Sequence, residues 1–431
     1  MKTLIKNGRV IDPKNHIDEV MDVLIADGII AKVACGIDEE ADEIIDAIGL
    51  WVTPGLIDLH VHLREPGFEH KETIKTGSLS AAMGGFTTIC CMPNTEPVID
   101  NEILVEYVKM KAEREAVVNV LPIGSITKGQ KGEELANIGK MVQSGVCSIS
   151  EDGKSVENPA LMKTALKYAG MFNLPVMSHC EEARLSGKGQ INAGNVASIL
   201  GLKGISNDSE DVMVSRDILL AEGANAKLHI CHISTDGSVR LLRNAKQRLL
   251  NVTGEVTPHH FTLIDDDITD YDTNYKMNPP LRNKRSRDAV LEGLMDGTID
   301  CIATDHAPHH YDEKQCEFEL AANGIVGLET AVPLAITELV MKNVITPLGF
   351  VEKLSLNPAK ILGINKGTLT PGAVADVAVF DIENEYEIDV AKFLSKAKNS
   401  PFGGRKVVGR ALYTIVAGNC IVRDGKITKG E

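Results

Sequence analysis

No apolar run in this 431-residue chain approaches the ~18 residues needed to cross a bilayer, which excludes an integral helical membrane protein. Residues 1–12 alternate Lys, Asn and Arg with short apolar pairs and lack the core of a signal peptide, so a cytoplasmic location is expected. Positive charge is in short supply. Against 60 Asp and Glu stand 45 Lys and Arg, a net charge of -15, which argues against a general nucleic-acid binder. An anionic small molecule would therefore need a local cationic site. The nine cysteines form no CxxC pair, and adjacent Cys90 and Cys91 suit neither an ordinary disulfide nor a zinc ribbon. Reduced core cysteines are expected. No GxGxxG follows any strand candidate, which disfavours a dinucleotide-binding open sheet. What is present is ordinary for a soluble enzyme: 43% hydrophobic and 24% charged residues exclude a disordered or fibrous chain.

Both ends read as β structure. Residues 3–11 and 20–33 are β-rich runs with Asn7-Gly8 and Asp27-Gly28 as hairpin punctuation, and 373–381, 411–417 and 420–428 repeat the style. One small β-sandwich domain made from residues 1–52 and 366–431 is the expectation. The middle alternates. Apolar runs at 56–62, 86–92, 117–123, 145–150, 175–179, 227–233, 251–258 and 300–304 make eight strand candidates, most of them nearly continuous in apolarity as strands covered on both faces are. Between them lie helix candidates at 101–116, 159–172, 208–222, 236–250 and 286–297, with Asn158-Pro159 as a cap and first-turn pair. Eight such strands alternating with helices over 53–365 predict an α/β fold of the (β/α)8 barrel type.

The sharpest local feature is His60-Val61-His62 at the end of the first strand candidate. Strand alternation would place both imidazoles on one face, about 6–7 Å apart. Other ligand-type residues cap later strands: Asp152 after the fourth, His179 ending the fifth, His232 ending the sixth and Asp305 after the eighth. In a barrel these ends open on one face, where active sites form. Four His and two Asp suit borderline divalent ions, and six ligands suit two ions sharing a carboxylate. Arg64 continues the His60/His62 alternation and is expected to point into the same mouth.

The run Asp58-Leu59-His60-Val61-His62-Leu63-Arg64-Glu65-Pro66, with Gly67 to Glu72 following, resembles the first signature of dihydroorotases in the amidohydrolase superfamily. Ala303-Thr304-Asp305-His306-Ala307-Pro308-His309, with Lys314 after it, resembles the second. Cys91-Met92-Pro93-Asn94-Thr95, Ser178-His179-Cys180-Glu181, Lys276-Met277-Asn278-Pro279-Pro280 and Gly324-Ile325-Val326-Gly327 are similar to family blocks in the same order. The resemblance implies a metal-dependent barrel with a terminal β-sandwich. It implies interconversion of N-carbamoyl-L-aspartate and L-dihydroorotate in pyrimidine synthesis, and a small anionic substrate. It also implies two divalent ions per chain, zinc by expectation, bridged by Asp152 and a hydroxide. His60, His62 and Asp305 would hold the buried ion, and His179 and His232 the more exposed one. Glu151 and Lys154 flank Asp152, so the bridge is open among neighbours. Asp305 would act as general acid-base, Arg64 would hold the substrate carboxylate, and His62, Asn94, Asn278, His309, Asn323 and Gly324 would complete the substrate contacts. One position departs from the pattern: Asn323 stands where phenylalanine is expected. A homodimer and an association with aspartate transcarbamoylase are the partner expectations.

Other residues receive plainer readings. His306, next to Asp305, should turn away from the site, and Cys180 and Cys231 should face the helices. His259 and His260 are read as loop-fixing, and His16, His70, His229 and His310 as ordinary polar residues. Asn94 and Asn278 beside prolines would, without the resemblance, be turn residues. The competing functions are another cyclic amidohydrolase, such as an allantoinase or dihydropyrimidinase, and a non-enzymatic scaffold. The first lacks need of Arg64 and His309; the second would have lost ligands.

Overall fold

The computed structural model describes Lys2–Thr428. Eight parallel strands follow one another in sequence order: Leu56–Val61, Phe86–Cys91, Asn119–Ser125, Ser148–Ser150, Val176–Ser178, Leu228–Ile230, Val252–Val256 and Cys301–Ile302. The seam between the last and the first is closed by a Val61–His306 bridge and by His62 N donating to His306 O at 2.8 Å. Asp58 reinforces it, accepting from Thr304 N at 3.1 Å and from His60 N at 3.0 Å. The result is a (β/α)8 barrel.

Seven of the eight expected runs enclose the strand found; the third begins and ends two residues later. The helices Glu102–Glu115, Pro159–Gly170, Asp208–Ala224, Asp236–Gln247 and Lys284–Met295 occupy the expected segments. Asn158 caps its helix through Oδ1, accepting from Ala160 N at 3.0 Å. Ile57, Leu59, Cys90, Met92, Ile123, Met177, Cys231, Cys301 and Ala303 form one cluster. Opposed strands meet this way only inside the barrel, so Cys231 faces the lumen and not the helices as expected. Its sequence neighbour His232 has φ 31°, a left-handed turn that breaks the alternation on which that reading relied. Cys180 does lie on the helix side, 3.9 Å from Asp217 of the helix Asp208–Ala224.

Both chain ends build one nine-stranded sheet. Trp51–Pro54 joins its halves, pairing with Lys2–Asp12 on one side and Val377–Asp381 on the other. The sheet curls back so that Ile29 bridges Val374, and Ile5, Val23, Ile30, Val52, Val377 and Ile415 pack in the fold. Asp27-Gly28 makes the expected hairpin turn with φ 50° and 80°. Asn7-Gly8 does not. It lies at a register shift inside the strand Lys2–Asp12, where a Cβ on Gly8 would meet Val52 Cγ2 at 2.4 Å. A separate two-stranded pairing, Tyr386–Glu387 with Lys406–Val407, brackets a segment that leaves this sheet for the barrel mouth.

Candidate metal centre and substrate pocket

His60, His62, Asp152, His179, His232 and Asp305 all reach the same buried space, none more than 8% exposed. His60 lies on the first strand and the other five just beyond strand ends. His232 and Asp305 turn out of their strands with φ 31° and 48°, backbone settings uncommon for side-chain-bearing residues and frequent at functional sites.

Three imidazoles have one nitrogen tied down. His60 Nδ1 lies 2.7 Å from Glu255 Oε1, His62 Nδ1 2.9 Å from Asn94 Oδ1, and His179 Nε2 3.1 Å from Glu181 Oε2. Each partner oxygen accepts a hydrogen bond from the ring N–H, which fixes the tautomer and leaves a lone pair on the opposite nitrogen. Two of those lone pairs point at carboxylate oxygens, and the third points at another imidazole nitrogen. His60 Nε2 is 3.1 Å from Asp152 Oδ1 and 3.5 Å from Asp305 Oδ1. His62 Nε2 is 3.1 Å from Asp305 Oδ1 and 3.4 Å from Asp152 Oδ2. His179 Nδ1 faces His232 Nε2 at 2.9 Å, and both lie 3.9 Å from Asp152 Oδ1. His60 Nε2 and Asp152 Oδ1 are buried without a hydrogen-bond partner. Bare acceptors facing each other repel unless a cation lies between them, and nitrogen and carboxylate oxygen are the donors a borderline divalent ion takes. Ligand atoms of His60, His62 and Asp305 lie within 4.8 Å of one another, as do those of His60, Asp152 and His232.

Protons compete for the same place. Burial opposes charge on His60, yet Asp152, Asp305 and Glu255 raise its pKa well above the ordinary value. His179 also moves up: burial is overcome by the hydrogen bond to Glu181 and by Asp152. His232 is pushed down to about 4 by burial and by the charge of His179 and His60. Burial alone would raise the Asp305 carboxyl, but His60 and His62 hold it well below its usual range, so it stays ionised. Asp152 is likewise held low against burial, by His60 first.

The neighbours of Asp152 point elsewhere. Glu151 turns away, accepting from Thr127 N at 2.9 Å and Ser125 Oγ at 3.3 Å, and Lys154 donates to Gln130 O at 3.1 Å. Only Asp152 of the three touches the histidines.

The expected substrate residues divide. Arg64 reaches the mouth by another route than alternation: its φ is 61°, and Nε donates to Pro308 O at 3.1 Å. Its guanidinium lies 3.5 Å from His309 Nε2, which donates to Asn323 O at 2.8 Å. Burial, more than Arg64, lowers the His309 pKa to about 4, so the ring is neutral. Asn323 contributes its carbonyl while its side chain is exposed, and Gly324 is buried with φ 119°. Asn94 is occupied at both ends, by His62 and by Asp152 Oδ2 at 3.3 Å, and so orients two ligand candidates. Asn278 donates to Glu181 Oε2 at 2.7 Å, behind His179.

Three residues with roles at this centre were not anticipated: Glu181, which ties down His179, and the pair Glu255 and His229. Glu255, fully buried in the strand Val252–Val256, joins His60 to His229, whose Nε2 lies 3.0 Å from its other oxygen. His229 is therefore not an ordinary polar residue. A carboxylate in the middle of a predicted barrel strand was the available signal. His306 Nδ1 accepts from Gly327 N at 3.1 Å and its Nε2 lies 3.5 Å from Glu72 Oε2, so neither nitrogen joins the histidine cluster. His260 bonds Thr257 Oγ1 at 2.7 Å and Pro279 O at 3.0 Å, a loop-fixing arrangement.

A family model described as Dihydro-orotase-like matches residues 49–238. A protein of Acetivibrio thermocellus named Dihydroorotase is 54% identical over 421 residues, covering 98% of this chain and 99% of its own. One of Geobacter sp. strain M21, also named Dihydroorotase, is 54% identical over 426 residues, with 99% and 100% covered. The chain belongs to the dihydroorotase family. Among solved structures, the L-hydantoinase (dihydropyrimidinase) of Arthrobacter aurescens superimposes with a TM-score of 0.90 at 25% identity, covering 99% of this chain and 97% of that one. Family membership makes the chain a metal-dependent cyclic amidohydrolase, and the barrel with a terminal β domain is shared with the hydantoinases.

Proposed function

We propose that this dihydroorotase-family protein interconverts N-carbamoyl-L-aspartate and L-dihydroorotate, a step of pyrimidine biosynthesis. The observation that carries the reading is the buried gap between tautomer-fixed imidazoles and two carboxylates, with Arg64 at its rim. His60, His62 and Asp305 would hold one divalent cation and His179 and His232 a second, with Asp152 between them; the donor set suits zinc. When bound, such ions supply an acidified water and Lewis acidity toward an amide carbonyl. The chain does the rest. Asp305, ionised and beside both His60 and His62, takes the proton of the attacking water and delivers it to the ring nitrogen as the amide bond breaks. Arg64 spends Nε on Pro308 O, which leaves its two terminal nitrogens as a fork for the substrate carboxylate. His309, Asn278 and the 323–324 backbone line the remaining contacts. The homodimer and the aspartate transcarbamoylase association rest on family likeness alone.

The test pairs metal content per chain with turnover, and uses one variant to settle substrate class. Dihydroorotate carries a carboxylate that dihydrouracil lacks. A charge-assisted contact is worth roughly 1.5–3 kcal/mol, so Arg64→Met should lower kcat/KM for dihydroorotate by about 10- to 150-fold. Any turnover of dihydrouracil should hardly change. Equal losses on both substrates would mean that Arg64 shapes the mouth and reads no carboxylate.

A further inference from the structure

The segment between Tyr386–Glu387 and Lys406–Val407 belongs by sequence to the terminal domain, yet it runs along the barrel mouth. Leu394 N donates to Glu329 Oε1 at 2.8 Å, Ser395 Oγ to Glu72, and Lys396 Nζ to Glu69 O at 2.5 Å. Asn399 follows, 5% exposed. Its Nδ2 donates to Ala307 O and to Gly324 O, each at 3.0 Å, and its Oδ1 accepts from His309 N at 3.2 Å. Its own carbonyl accepts from Val326 N at 2.9 Å.

Each of the four Asn399 bonds ends on one of two loops. One runs from Asp305 to His309 and carries the carbonyl that holds Arg64; the other carries Asn323 and Gly324, whose backbone meets His309. The loops approach so closely that a Cβ on Gly324 would stand 2.5 Å from Ala307 Cβ. Two carbonyls and one N–H converge on a single side chain, and a primary amide offers the matching two donors and one acceptor. Asp is the same size but would set an acceptor against two carbonyls. From this we infer that Asn399 is a positioning residue of the substrate pocket. It fixes the His309 loop against the Gly324 loop and so sets the corner in which Arg64 and His309 receive the carboxylate. The inference rests on the proposed reading of that pocket.

The experiment uses the full chain loaded with zinc. Asn399→Asp should raise KM for dihydroorotate about tenfold, the weight of one or two lost buried hydrogen bonds. Its kcat should stay within about threefold of native, since the groups that meet the reacting bond are untouched. Metal content should not change, and amides of 307–309 and 324–326 should exchange faster with deuterium. Asn399→Ser, smaller and still polar, carries the same expectation if the aspartate variant does not fold. Lys396→Ala, which frees the same segment at an outer anchor, should leave KM unchanged. The inference is overturned by an unchanged KM and exchange pattern in Asn399→Asp, because an isosteric swap would be silent if only packing mattered. It is equally overturned by metal loss with a fallen kcat, or by the same KM rise in Lys396→Ala. A wild-type protein that binds metal but does not turn over dihydroorotate would instead defeat the proposed function, and the exchange pattern would still decide the role of Asn399 in spacing the loops.

Discussion

Glu255 keeps a carboxylate with no exposure inside the barrel wall, where an unpaired charge costs several kcal/mol. Burial pushes its pKa up, but His60, His229 and their hydrogen bonds outweigh this and bring it down to about 2. It is therefore an anion at every working pH, and its Oε1 accepts a hydrogen bond from His60 Nδ1–H, which keeps the proton off the inward Nε2. Replacing it with an amide removes the charge and lets an N–H face the imidazole, which favours the wrong tautomer. Glu255→Gln should weaken divalent-ion binding by about 10- to 100-fold, the usual weight of a partner behind a metal-binding histidine. Chelator competition on the purified protein measures this directly, and an unchanged affinity would reduce Glu255 to a packing role. His60, His62 and the four strand-end residues were legible in the sequence because ligand-type residues at strand ends are few and specific. Glu255 and His229 were not, since a single acid within a strand has many bland explanations. Their partnership exists only once the sixth and seventh strands lie side by side.

At the scale of elements, strands and helices followed the apolar runs closely because both faces of every barrel strand are covered. Asn158-Pro159 and Asp27-Gly28 carry local physics that tertiary structure did not override. The alternation argument failed where strands end: Arg64, His232 and Asp305 adopt positive φ, so the period of two no longer predicts where their side chains lie. Arg64 still arrives at the mouth, because Pro308 O draws its Nε there. The loop after the eighth strand is thus a built element. Lys314 strengthens it, donating to Ala322 O at 2.8 Å and Gly324 O at 3.1 Å, with its pKa lowered to about 7 by burial and by Lys276. Gly324 itself has φ 119°, which a side chain rarely tolerates. Gly324→Ala should destabilise the fold by about 1–3 kcal/mol through backbone strain and the clash with Ala307. Its KM should rise more than its kcat falls. Denaturant unfolding together with steady-state kinetics checks both, and a variant of native stability and KM would show that the loop yields freely.

The whole molecule has a net charge of -15, and its acidic excess reaches into the candidate metal centre, where Asp152, Asp305 and Glu255 are all ionised. Something positive must stand among them, and the two candidates are divalent cations and protons on His60 and His179. This gives the protein opposite pH responses with and without metal. In the metal-free form, His60 and His179 have folded pKa values raised above 6.5, so the native state binds protons that the unfolded chain releases. Their contribution is fully present below about pH 6.5 and is lost as pH rises through the raised folded values. A bound cation displaces those protons, so its apparent affinity rises by about tenfold per pH unit for each proton displaced. Stabilisation by ligand grows with the logarithm of concentration over Kd. The zinc-induced shift in Tm should therefore widen steadily from pH 6 to pH 8.5. Other groups that titrate in this window, such as Lys314, Asp58 and Glu329 with pKa values of about 7, are present in both forms and cancel in the difference. Calorimetry of chelated and zinc-loaded protein across that range gives the shift. A difference that stays constant or narrows with pH would mean that the cation does not replace protons on His60 and His179, and that the binding site lies elsewhere.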